Sequence, residues 1–370
     1  MKLIFSLLVI LFLFGCSGNV VNEIVEKPEV IKIGFMAPLT GDVATYGINA
    51  LGAVRMAADE INNKGGINGM QIKIISEDGR CDPKEAVTAT HKLINIDKVP
   101  AIIGGVCSAE TLAAAPLAEE SKTLLLSPCS SNPEITNSGD YIFRDYPADD
   151  FAARLLAKQV FDSGHRNAAL LSCFKDWCAA NAESFGNAFE ELGGKVLIHE
   201  QFEQGEKDLR GIFTKIKDKQ PDIIFFAAYT ESSVAGLIQA KELGLDVPFY
   251  GGDTWDDVKI FEQAGDAAEG IQYMIPHTEV TDNFRNSFLA NYGTEITVCV
   301  TQAYDWGHIL GEVISQVGTD PTDIKDALYK VDYNGVSGKI KFDHNGDLKA
   351  ASYDLKKVVN GAAEVIDIIG

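Results

Sequence analysis

Basic residues are scarce in this 370-residue chain: 32 Lys and Arg stand against 53 Asp and Glu, for a net charge of −21, and the cations nowhere cluster. That excludes a nucleic-acid partner, because gripping a phosphate backbone takes several Lys or Arg in one patch. The charge balance says nothing about fold. Metal-ligand spacing is missing too. There is no C-x-x-C, and His91, His165, His199, His277, His308 and His344 are scattered, so no metal is expected. Gly65-Gly66-Ile67-Asn68-Gly69 is not a G-x-G-x-x-G fingerprint and no Walker sequence occurs, which leaves no support for a nucleotide or any other cofactor. Ser172-Cys173-Phe174-Lys175 matches S-x-x-K, but its S-D-N and K-T-G companions are absent, and the chain is not read as an enzyme.

Long apolar stretches are also lacking. The run Leu3 to Phe14 covers 12 residues, short of the roughly 20 that a spanning helix needs. Preceded by Lys2 and followed by small residues, it reads as a secretory signal over residues 1–15. Leu13-Phe14-Gly15-Cys16 resembles a bacterial lipobox, whose cysteine takes the lipid and becomes the mature N-terminus. Cys16 is therefore the expected lipid anchor, residues 16–29, with Pro28, form a polar tether, and the protein is expected outside the cytoplasm, on a periplasmic face or cell surface. Six further cysteines, Cys81, Cys107, Cys129, Cys173, Cys178 and Cys299, could all pair in such an oxidising compartment, with 15 connectivities open.

What the chain does have is a 46% hydrophobic composition and enough length for two domains. Strand-like Ile31 to Ala37 is followed by a loop carrying Tyr46 and by helical spacing from Asn49. Strand-like Gln71 to Glu77 precedes Asp82-Pro83-Lys84-Glu85, a helix start with Asp as cap and Pro at the first position. Apolar runs at Val99 to Gly104 and Thr123 to Leu126 then end in hydroxyl-rich turns, each opening something helical. In a parallel sheet such turns share one crevice, with amides and hydroxyls facing a small anion. After a pause at Tyr146-Pro147 a second strand and helix series runs to Gly251. The alternation predicts an α/β fold of two doubly wound parallel-sheet lobes rather than a barrel. The remaining elements complete these lobes, so the chain crosses between them more than once and makes a hinge. Lobe 1 is expected to comprise 30–145 and 276–345, and lobe 2 146–275 and 346–370.

Several motifs, in order, resemble the type I periplasmic solute-binding proteins of ABC importers, of the leucine/isoleucine/valine-binding kind. They are IGFMAPLTGDVATYG (Ile33 to Gly47), ADEINNKGGINGMQIKI (Ala58 to Ile74), CDPKEAV (Cys81 to Val87), VCSAET (Val106 to Thr111), SPCSSNPEIT (Ser127 to Thr136), GEKDL (Gly205 to Leu209) and NGDLK (Asn345 to Lys349). The resemblance implies a ligand in the interlobe cleft and a disulfide between Cys81 and Cys107. Cys173 with Cys178 could be a local clip and Cys129 with Cys299 would be what remains, with buried free thiols the alternative for both pairs. It further implies that Ser108 and Ser131 hold an α-carboxylate, and that the Ser130 carbonyl and Asp253 hold an ammonium, which needs a counter-charge when removed from water. Tyr46, Trp177 and Tyr229 would line the cleft as aromatic walls. On the residues alone, Ser108 could instead cap its helix, Asp253 could cap one beginning near Trp255, and Asp256 and Asp257 are read as solvated.

Asp stands where the leucine-type binders have Glu, Trp177 where they have Tyr, and Cys129 where they have Gly, which leaves the side-chain pocket open. The implied function is capture of a small amino acid, branched-chain or otherwise apolar, or of a close analogue. The implied partners are an ABC permease and its ATPase, with the binder itself a monomer. The alternatives are a sensory module on the same fold, or a binder of amides, urea or aromatic acids.

Overall fold

The structure, a computed structural model, describes residues 30–370. The signal, Cys16 and the tether lie outside the described residues. Within them the chain opens with β1 (Val30–Ala37), α1 (Ala44–Asn63), β2 (Gln71–Asp78), α2 (Pro83–His91), β3 (Ala101–Gly104), α3 (Ser108–Ser121), β4 (Leu124–Ser127) and β5 (Ile142–Arg144). A second series runs α4 (Asp149–Asp162), β6 (Asn167–Cys173), α5 (Asp176–Glu191), β7 (Lys195–Phe202), α6 (Arg210–Asp218), β8 (Ile223–Ala227), α7 (Thr230–Glu242), β9 (Phe249–Gly251), α8 (Val258–Ala264) and β10 (Gln272–Pro276). The chain ends with α9 (Asp282–Tyr292), α10 (Val300–Val317), α11 (Pro321–Leu328), the small hairpin β11 (Tyr333–Gly335) and β12 (Gly338–Ile340), and the pair β13 (Tyr353–Val359) and β14 (Ala362–Ile369).

These elements form two sheets, each the base of one lobe. The first is wholly parallel with order β2-β1-β3-β4-β5. Its inner strands, such as Ala101–Gly104 and Leu124–Ser127, are buried throughout, as sheets covered on both faces by helices require. The second has order β14-β13-β10-β9-β8-β6-β7. It is parallel from β7 to β10, but β13 and β14 are antiparallel, so this sheet is mixed rather than purely parallel. β14 runs against β13 through Asn360-Gly361, both at positive φ, the two-residue signature of a tight hairpin.

Strand order reverses at β1 in the first sheet and at β6 in the second. Crevices for ligands form at the carboxyl ends of strands at such switch points. The chain passes between sheets after β5, after β10 and before β13. After β10 it returns to the first lobe, where α10 lies against α1. The helices approach closely because Gly307 faces Ala57: a Cβ there would lie 2.6 Å from the Ala57 Cβ.

Local signals work as read at α2, where the Asp82 carboxylate accepts from Lys84 N and Glu85 N at 2.9 and 3.1 Å and Pro83 opens the helix. The start of α1 differs: it begins at Ala44, so Tyr46 sits in its first turn and not in a loop. Among the described residues no helix is long and apolar enough to cross a membrane.

Candidate functional site

The carboxyl ends of β1, β3 and β4 face those of β6, β8 and β9, and the expected site residues all follow one of these strands. On the first-lobe side, the α3 N-terminus is held by Glu110, whose carboxylate accepts from Val106 N and Cys107 N at 3.1 Å and from Cys81 N at 3.0 Å. Burial pushes Glu110 up to about 7, against the pull of these three bonds. Cys107, not Ser108, occupies the cap position. The Ser108 hydroxyl instead accepts from Asn132 N at 3.2 Å, joining the turn after β3 to the turn after β4.

That second turn is largely satisfied within itself. Ser127 Oγ donates to Gly105 O at 2.8 Å and accepts from Ser130 N at 2.9 Å. The Ser130 hydroxyl is taken up by Gly105 O and Thr111 Oγ1, and its carbonyl accepts from Arg144 at 3.4 Å. Ser131 O accepts from Asp149 N at 2.8 Å, but the buried Ser131 hydroxyl has no partner. Arg144, which no sequence motif singles out, is only 1% exposed. It pairs with Asp347 at 2.6 Å and donates to Asn132 O at 2.9 Å, so the NGDLK motif serves to hold the β4 turn.

On the second-lobe side, Trp177 lies in the first turn of α5 and Tyr229 at the N-terminus of α7. Their ring centroids are 5.3 Å apart, and Tyr46 lies 6.2 Å from Tyr229. Gly252 makes the fit possible, since a Cβ there would lie 2.8 Å from the Trp177 ring. Asp253 follows in a short 3₁₀ turn, Asp253–Trp255, and accepts from the Tyr146 hydroxyl. It caps no α-helix. That role falls to Asp257, which starts α8 by accepting from Lys259 N at 3.0 Å.

Asp257 and Asp256 are therefore not solvated, contrary to expectation. Asp257 is buried and also accepts from Thr230 at 2.7 Å, while Asp256 accepts from Tyr273 and pairs with Lys356, both at 2.8 Å. Burial pushes Asp253 up to about 6. Asp149, at the start of α4, is pushed up to about 8 by burial and then by the charge of Asp253. Nothing in the sequence separated Asp149 from an ordinary acidic first-turn residue.

The two sides are closed on each other. Tyr46 Oη contacts Thr230 Oγ1 at 3.0 Å and donates to Thr254 O at 3.3 Å. Lys175 Nζ reaches Cys81 O at 3.2 Å, and Tyr229 Oη donates to Cys81 Sγ at 3.9 Å. They enclose a cavity of about 30 Å³ lined by Tyr46, Ser108, Trp177, Tyr229 and Asp253 together with Val106, Cys107, Cys129, Thr254 and Val298. Ser130 and Ser131 lie outside this lining.

Val298 and Cys129 arrive together because Cys129 is bonded to Cys299. Cys81 is bonded to Cys107, and Cys173 to Cys178 around Trp177. Chemically the cavity offers aromatic faces, the hydroxyl-bearing residues Ser108, Thr254, Tyr46 and Tyr229, and one carboxylate, Asp253, a set suited to a small ligand with an ammonium group. Among the described residues no group of His, Cys, Asp or Glu could hold a metal.

Comparison with known proteins gives a consistent picture. Residues 30–362 match the family model described as periplasmic binding protein. The chain is 31% identical to a leucine-, isoleucine-, valine-, threonine- and alanine-binding protein of Pseudomonas aeruginosa, over 87% of this chain and 88% of that one. It superposes on a leucine-binding protein from Thermotoga maritima with a TM-score of 0.85, at 27% identity, covering 92% of this chain and 98% of the other. A branched-chain amino acid transporter substrate-binding protein from Streptococcus pneumoniae, solved with isoleucine, gives a TM-score of 0.82 at 28% identity, with 91% and 99% covered.

Proposed function

The chain belongs to the periplasmic binding protein family, and from that premise we propose that it captures a small amino acid, branched-chain or otherwise apolar, between its two lobes and delivers it to an ABC permease and its ATPase. The family consists of substrate-binding proteins rather than enzymes, and it works outside the cytoplasm. In this reading the lobes divide as 30–145 with 276–345 and 146–275 with 346–370. Cys16 carries the lipid anchor and the protein acts as a monomer.

The observation that carries the proposal is a carboxylate, Asp253, set among the aromatic rings of Tyr46, Trp177 and Tyr229 at the end of a cavity that Ser108 also lines. An ammonium placed there gains a counter-charge and aromatic faces together. The unpartnered Ser131 hydroxyl and the Ser108 hydroxyl are the donors for the ligand's carboxylate. Closure is favoured by a ligand that bonds both lobes, because only then does it bind the closed form better than the open one.

An aromatic acid would bring a carboxylate and no ammonium, and it would face Asp253 unfavourably. The test is a thermal-shift panel of α-amino acids, amides, ureas and aromatic acids, each at about 100 times its dissociation constant, where a true ligand adds about 2.7 kcal/mol. Branched-chain amino acids are expected to raise the melting temperature, and Asp253→Asn to abolish the shift. A panel in which no α-amino acid shifts the transition overturns the proposal.

A further inference from the structure

Asp253 borders two spaces. Besides the cleft cavity it lines a second one of about 20 Å³, bounded by Tyr146, Asp149, Asn181, Gly252 and Tyr353. This volume is room for little more than one small polar group. Its walls carry buried polar atoms that nothing in the protein satisfies: Asp149 Oδ2 and Asn181 Oδ1, on residues each 5% exposed, and the Tyr353 hydroxyl. The unpartnered Ser131 hydroxyl lies against Asp149. Asp149 Oδ2 and Asn181 Oδ1 can only accept while Asp149 is ionised; the Ser131 and Tyr353 hydroxyls are neutral donors, so what the space lacks is positive charge.

The charged neighbours do not supply them. Arg144 is engaged by Asp347, Thr136 and the Asn132 carbonyl. Asp256 is matched by Lys356 and Asp150 by Arg154, while the Tyr146 proton already goes to Asp253. A buried carboxylate, Asp149, and a half-buried one, Asp253, thus stand at one site without a free cation, which is costly unless one is protonated or a ligand brings the charge.

We propose that Asp149 is a second ligand-binding carboxylate of this cleft, and that it and Asp253 clamp one ligand ammonium between them. The inference rests on the amino-acid reading above. In the ligand-free protein Asp149 holds a proton at neutral pH, since burial and the Asp253 charge outweigh the opposite pull of Ser131, Asn181 and Arg144. When the ammonium enters, its charge replaces that proton, which leaves to solvent. Ligand capture and the release of one proton are one event, and a neutral ligand such as an amide or urea cannot drive it.

The experiment is calorimetric titration of the mature protein with the amino acid that gives the largest thermal shift, at pH 6, 7 and 8, in two buffers of different ionisation enthalpy. Close to one proton released per ligand at pH 7 is expected, with affinity rising by up to tenfold per pH unit from 6 towards 8. Asp149→Asn should abolish the proton release and weaken binding at pH 8 by at least tenfold, while the ligand-free melting temperature stays level or rises. Tight binding without proton release, or an Asp149→Asn variant that binds as tightly as the wild type, overturns this inference and leaves the amino-acid reading standing. A variant that melts lower and yet releases the wild-type proton shows a structural residue, and overturns it equally. Failure of every ammonium-bearing ligand to bind the wild type overturns both.

Discussion

The two walls of the cleft are built on opposite plans. The first-lobe wall is tied covalently: Cys81–Cys107 links the turns after β2 and β3, and Cys129–Cys299 links the turn after β4 to the start of α10. Its hydroxyls are mostly satisfied within the wall, and the Glu110 carboxylate buried behind it is bonded by three backbone amides. The second-lobe wall has only the five-residue Cys173–Cys178 clip, yet it carries the rings of Trp177 and Tyr229 and the strained pair Asp149 and Asp253. A wall fixed in advance suits the part of a ligand that never varies, because its groups lose little freedom on binding. Placing the uncompensated charge on the other wall lets the ligand itself supply what closure needs.

The sharpest way to break this contrast is to cut the ties one at a time. In the chain-entropy account the stabilisation grows with the loop that is closed. Sequence separations of 170, 26 and 5 residues then correspond to about 5, 3.5 and 2 kcal/mol for Cys129–Cys299, Cys81–Cys107 and Cys173–Cys178. Urea unfolding of the three paired Cys→Ala variants should lose stability in that order. Equal losses would mean that the second wall is as firmly tied as the first.

How much of this was legible follows the same division. Strand and helix alternation, the Asp82-Pro83 helix start and the hydroxyl-rich turns after β3 and β4 are local signals, and they place the first wall. Asn360-Gly361 is an equally local signal for the β13–β14 hairpin. Tyr46 was misplaced because the polar start of α1 hides its first turn ahead of the apolar stripe. Asp149 could not be found by pattern: it sits beside Asp150 as one of two acidic first-turn residues, and only packing against Tyr146, Asn181 and Tyr353 distinguishes it. Asp256 and Asp257 looked solvated for the same reason, since their partners Tyr273, Lys356 and Thr230 lie 17, 100 and 27 residues away.

The charge contrast makes a prediction for the ligand-free protein. Asp149 and Asp253 are raised to about 8 and about 6, whereas an unfolded Asp titrates near 3.9. Between those values the native state holds more protons than the unfolded one, so stability is fully present below pH 4 and is lost as pH rises to 8. One group titrating fully contributes a slope of about 1.4 kcal/mol per pH unit. The melting temperature of the ligand-free protein should therefore fall from pH 4 to 8, and fall less steeply in the Asp149→Asn, Asp253→Asn double variant. Glu110 and Asp305, raised to about 7 and about 6, and Asp145, pushed up by burial, set the remaining slope. If the double variant declines as steeply as the wild type, the wall that loses stability on deprotonation is the first one.

The smallest effect concerns the bond that closes the walls on each other. Thr230 gives its single proton to Asp257 at 2.7 Å, so its oxygen must accept from Tyr46. The one proton of Tyr46 is then shared between Thr230 Oγ1 and Thr254 O, at 3.0 and 3.3 Å. Tyr46→Phe removes this shared bond and keeps the ring against Tyr229. A net hydrogen-bond contribution of about 1 kcal/mol corresponds to roughly fivefold weaker ligand binding by calorimetry. Because the bond joins α1 of the first lobe to the second, it counts only when the lobes are shut. Urea stability of the ligand-free variant should stay at the wild-type value, and a loss there equal to the loss in affinity would place the hydroxyl in the fold and not in closure.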